Sequence, residues 1–180
     1  MSATKITGPA PANNSKRNIF KYAEEVAKKH NYNINENDVF KIIEFLGGKI
    51  EKIEPMGSFE SDDASLIVKQ KGDFIVRLSV LCGDDRNRFS AAHELGHYLL
   101  HYFSQNRQDE MHAARSGDVN DRAEWEANWF ASAFLMPEVQ YRKIHKDEKG
   151  NFDAISCHFR VSRRAAEVRA IVLDLKKPIK

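Results

Sequence analysis

Residues 89–101 read FSAAHELGHYLLH, three histidines and a glutamate in apolar company. His93 and His97 are four apart, one turn of helix with a small angular offset, so both imidazoles reach one point. Glu94 lies one step round from His93 and flanks that point without ligating it. This is the H-E-x-x-H arrangement, in which two neutral imidazoles hold Zn2+ and a carboxylate takes a proton from water. A buried imidazole pair needs a partner, and a metal ion is one.

A third ligand is then required. His101 continues the i, i+4 series, but eight residues of straight helix put its Cα about 12 Å from that of His93, too far for one ion. The run Tyr98-Leu99-Leu100 offers no helix breaker. His101 therefore reads as a support or capping residue behind the site, or as a surface residue. The better source is EWEANWFASAFLMP, where Glu124 and Glu126 stand about 200° apart on a helix and only one faces the site. The helical neighbours of Glu124 (Asn120, Asp121, Ala127, Asn128) are largely polar. Those of Glu126 (Arg122, Ala123, Trp129, Phe130, Ala133) are mostly apolar. A carboxylate aimed into a core must be compensated, so Glu126 is the expected third ligand and Glu124 the fallback. An ion pair with Arg122 is the competing explanation for Glu126.

These groups must be carried by a scaffold. Residues 1–15, with Pro9 and Pro11, read as a flexible tail, and 16–180 as a single domain whose C-terminal part (about 150–180) is helical. A first helix is expected from about Asn18 to His30, and a second from near Asn37 to Gly47-Gly48. The runs SLIVKQ and FIVRLSV, split by Lys71-Gly72-Asp73, predict a hairpin just before the motif helix. Residues 49–54 suggest a third strand. Residues 104–120 are polar and nearly aperiodic, a long loop with the texture of an access lid. Asp121 can cap the helix carrying the two glutamates, Pro137 can open the next, and Ser162 can cap the last.

The two motif helices resemble the ImmA/IrrE family of zinc metallopeptidases. The resemblance rests on Arg88-Phe89 leading into Ala92-His93-Glu94-Leu95-Gly96-His97, then on EANWFASAFLMP. A final element with Phe159, Val161, Ser162, Ala165 and Arg169 supports it, and the likeness covers most of residues 18–175. It implies an α+β, compact zincin-like helical bundle packed on a small sheet. It implies His93, His97 and Glu126 as zinc ligands, Glu94 as the catalytic carboxylate, and a protein substrate that is a helix-turn-helix repressor in mobile-element or stress-response control. In such a mechanism Glu94 would deprotonate the attacking water and return the proton to the leaving amine. The candidates for stabilising the oxyanion are Tyr98, Tyr102, His112 and Tyr141. The edge of the strand over 74–80 could hold the substrate extended by strand addition.

Two other functions compete. The protein could hold zinc yet sequester a repressor or antitoxin without cutting it. Arg160, Arg163, Arg164 and Arg169 could make the C-terminal element a DNA reader, against which a net charge of only +2 argues. Two isolated cysteines, Cys82 and Cys157, point to a reducing cytoplasm rather than a disulfide framework. No apolar run reaches membrane-spanning length.

Overall fold

The computed structural model describes residues 7–54, 64–114 and 121–177. Ser15 starts α1 (Lys16–Lys29) by accepting from the Asn18 amide, and Asp38 starts α2 (Val39–Phe45) by accepting from Val39. α1 buries Ile19, Ala23, Val26 and Ala27, one face of a 3.6-residue period. The chain leaves α2 through Gly47, whose φ of 89° suits glycine and where any Cβ would run into the Gly72 carbonyl of the hairpin turn.

Four strands follow: β1 (Gly48–Ile53), β2 (Ala64–Gln70), β3 (Asp73–Ser79) and β4 (Met111–Ala114), ordered β1-β3-β2-β4. β2 and β3 form the expected antiparallel hairpin around Lys71-Gly72, and β1 is the expected third strand, running parallel to β3. Leu66, Val68, Phe74, Val76, Leu78, Met111 and Ala113 are buried, as alternation on a half-covered sheet requires. The sequence missed β4, because four residues inside a polar stretch give no periodic signal. It pairs with β2 within the segment expected to be loop; residues 115–120 of that segment lie outside the described residues. β3 is flanked on both sides, so its backbone cannot accept an added strand, and the expectation that it would hold substrate fails on this ground.

α3 (Asp84–His97) crosses the buried sheet face and runs on without a break into a π-helical turn, Tyr98–Phe103. The Ser104 amide reaches back five residues to the Leu99 carbonyl, 3.0 Å away. Tyr98 on this turn stacks on Phe74 of β3, centroids 4.0 Å apart. α4 (Asp121–Leu135) packs against both α3 and α1. A Cβ placed on Gly96 would lie 3.1 Å from Phe130 Cβ and 3.2 Å from the Ala127 backbone, so the two motif helices approach as closely as a glycine permits. α5 (Glu138–Asp147), α6 (Phe152–Phe159) and α7 (Arg163–Val172) follow, the last capped by Ser162 as expected. The architecture is α+β: a helical bundle on one face of a small mixed sheet.

Residues 7–15, expected as a tail, lie against the domain: Thr7 forms a parallel bridge with Met111, and Gln105 and Arg107 donate to the carbonyls of Ala10 and Gly8. Residues 1–6 are outside the described residues.

Candidate metal centre

α3 presents His93 and His97 one turn apart, both buried, with their Nε2 atoms 3.0 Å from each other. The carboxylate of Glu124, from α4, meets both: Oε2 is 3.2 Å from His93 Nε2 and Oε1 is 3.0 Å from His97 Nε2. Each of the three residues offers one ligand atom within 4.8 Å of the others, a nitrogen–nitrogen–oxygen set suited to zinc. Glu94, on the same helix and one residue from His93, is buried beside them.

The far sides of the imidazoles fix their tautomers. His93 Nδ1 is 3.1 Å from the Asn128 carbonyl oxygen, which can only accept, so Nδ1 carries the proton and Nε2 is left with its lone pair. His97 Nδ1 lies 2.9 Å from His101 Nδ1, and His101 Nε2 lies 3.1 Å from the Glu126 carboxylate. The chain of donors that satisfies all three groups runs from His97 through His101 to Glu126, and it again leaves His97 Nε2 unprotonated. Burial pushes His97 down to about 3, so it stays neutral at ordinary pH. Two nitrogen lone pairs facing each other at 3.0 Å repel unless a cation or proton lies between them. The donor set therefore fits a metal.

The structure thus brings Glu124, not Glu126, to the histidines. Glu126 is fully buried but already compensated: its Oε2 accepts from Ala12 N–H at 2.7 Å and faces His101, and its Oε1 accepts from Arg122 at 3.0 Å. On residue pattern alone the ligand is expected on the apolar flank of α4. The glutamate that meets the histidines is on the polar flank instead, its side chain a quarter exposed, as an open site demands. Asn128 was visible as one of the polar neighbours of Glu124, and that polarity was the signal: it is the surface of the site.

The oxyanion candidates separate as well. The Tyr98 hydroxyl accepts from Gly72 N–H in the hairpin turn, and the Tyr141 hydroxyl donates to the Ala166 carbonyl. Tyr102 is buried and lies parallel to Tyr98, and His112 sits on β4 against Glu110. The two motif arginines are structural: Arg88 and Arg169 are fully buried, Arg88 on Asp38, Tyr32 and the Phe159 carbonyl, Arg169 on the Met136 carbonyl and Glu24. Of the other C-terminal arginines, Arg160 pairs with Asp85, and Arg163 with Asp153 and Glu167. No helix among the described residues is long and apolar enough to cross a membrane.

Comparison with known proteins adds two findings. The profile of the IrrE N-terminal-like domain family, Peptidase_M78, matches residues 58–170, more than half of the chain. A solved structure described as a Mycobacterium tuberculosis transcriptional regulator superposes with a TM-score of 0.63 at 12% identity. That match takes in 86% of this chain but 46% of the other, so the chain spans less than half of that protein's length. No curated protein matches.

Proposed function

The chain belongs to the Peptidase_M78 family of IrrE N-terminal-like domains, and from that premise we propose that it is a zinc-dependent metallopeptidase that cleaves a helix-turn-helix transcriptional repressor. The observation that carries the reading is the convergence of His93, His97 and Glu124, with Glu94 beside them. These three residues would hold the ion. When bound, zinc would act as a Lewis acid toward a peptide carbonyl and lower the pKa of water. Glu94 accepts the proton of the attacking water and delivers it to the departing amine nitrogen. Asn128 and His101 hold the two imidazoles in the ligating tautomer, so no reorientation is needed when the ion arrives. A transcriptional regulator as the substrate class is supported by the family resemblance of the two motif helices.

Metal analysis of the purified protein beside His93→Ala, Glu124→Ala and Glu126→Ala tests the ligand set. Zinc should be lost from the first two and retained in the third. Equal retention in all three would sink the site. Glu94→Gln should keep zinc and lose about 10²–10⁴-fold in peptide hydrolysis. Undiminished biological activity in that variant would favour sequestration of a partner over its cleavage.

A further inference from the structure

A groove with a cavity volume of about 590 Å³ opens beside the metal centre, between α1, the start of α3, α4 and α7. Its floor is apolar, with Phe20, Phe89, Trp129 and Val172, and two of its apolar side chains are turned to solvent: Trp125 is 54% exposed and Val168 39%. Large exposed apolar surface framed by polar residues marks a place where something docks. The groove shares Asn128 with the site, since that residue lines the groove and also accepts from His93 Nδ1. Trp125 directly follows Glu124 in α4.

The rim says what docks. Lys16 and Arg164 stand at the edge of the apolar floor, and the one carboxylate among its described lining residues, Asp85, already faces Arg160 at 3.8 Å. Lys16 lies over the rings of Phe20 and Trp129, 5.7 Å from each centroid, so its charge is held at the floor. A basic ligand would meet like charge here. An occupant with apolar side chains for the floor and carboxylates for the rim would be matched on both counts, with tryptophan and arginine at the contact as in tight interfaces.

We propose that this groove anchors the protein substrate through an acidic, amphipathic segment, holding the chain to be cut next to His93 and Glu124. The proposal rests on the peptidase reading only in calling the occupant a substrate. Docking itself needs neither zinc nor turnover.

The groove carries its own reporter, because both tryptophans of the chain, Trp125 and Trp129, line it. The probes are two synthetic peptides with leucines at i, i+3, i+4 and i+7, one with glutamates at the intervening positions and one with lysines. Each is titrated into the full chain while tryptophan emission is followed. The acidic peptide should give a saturable change and bind at least about tenfold more tightly than the basic one. Val168→Asp and Arg164→Glu should each weaken it about tenfold or more, while Val139→Asp, at an exposed position on α5, should not. Circular dichroism checks that the variants fold, and the two groove variants fail independently if either does not. Equal binding of both peptides, or no saturable change, overturns the proposal. Self-association of the chain that Val168→Asp dissolves also overturns it, by assigning the groove to a second copy. Docking in a chain that holds no zinc leaves the groove standing and the peptidase reading fallen; zinc and hydrolysis without docking do the reverse.

Discussion

α3 carries two buried polar clusters a turn or two apart, and they are built differently. At its start, Arg88 has a protein partner in every direction: Asp38 at 2.8 and 3.0 Å, the Tyr32 hydroxyl at 2.7 Å, and the carbonyls of Phe159 and Arg160. At its end, His93 and His97 have hydrogen-bond partners on their outer nitrogens, while their inner nitrogens face each other and the Glu124 carboxylate, acceptors all, with no donor between them. The first cluster is closed, and it ties α2 and the end of α6 to α3. The second is left open on one side by the protein itself. Burial alone does not separate the two; completeness of the partner set does.

The sharpest way to break this comparison is at the closed cluster. Arg88→Met removes a fully buried guanidinium, strips Asp38 of its charged partner though not of the Val39 amide, and takes the Arg88 donor from two carbonyls. Losing one side of a buried pair costs about 3–5 kcal/mol, and Asp38 is only partly exposed, so little of this is screened. Denaturant unfolding should show a midpoint lowered by that free energy divided by the slope, the slope itself unchanged, and the folded fraction should still take up zinc. A variant as stable as the parent but deficient in zinc would mean that the two clusters had been assigned the wrong way round.

A smaller effect is expected at His101, where the two designs meet. It is fully buried and bridges His97 to Glu126, which is closed in turn by Arg122 and Ala12. His101→Ala should reduce zinc affinity about 10–100-fold, the usual loss when the group orienting a ligand is removed. Competition with a chelator measures this, and the melting temperature of the metal-free variant provides the control. If stability falls while zinc affinity is untouched, His101 is a core filler and not part of the centre.

Much of the fold could be read from residue patterns, because α1, the β2–β3 hairpin and α3 each bury one continuous face or run of apolar side chains. The clustering of His93, His97 and Glu94 was legible for a related reason: all three lie within five residues of one helix, where local geometry alone brings them together. The third position was not. Choosing between Glu124 and Glu126 depended on which flank of α4 faces α3, and that is set by contacts between residues more than twenty-five apart in sequence. The apolar setting of Glu126 was real, but its compensation comes from His101, Arg122 and the Ala12 amide, and the amide lies in a segment whose composition suggested a tail. The π-helical turn was equally hidden, since Tyr98-Leu99-Leu100 has no residue that announces it.

The smallest expected effect, and the finest test of how the open cluster is held open, is at Gly96. Replacing a helical glycine with alanine ordinarily stabilises by about 1 kcal/mol through backbone entropy. Here the new methyl would fall 3.2 Å from the Ala127 Cα and carbonyl oxygen and 3.1 Å from Phe130 Cβ, atoms that no rotamer change can remove. Overpacking of this kind costs about 1–3 kcal/mol, so the two effects nearly offset, and Gly96→Ala should melt close to or slightly below the parent. Zinc affinity is not offset in this way. His93 and His97 are on α3 and Glu124 is on α4, so relief of the clash by moving the helices apart also spreads the three proposed ligands. A severalfold loss of zinc affinity with a nearly unchanged melting temperature is the signature to look for. A raised melting temperature with full zinc affinity would show that the helices can absorb a methyl, and that their close approach is not what spaces the ligands.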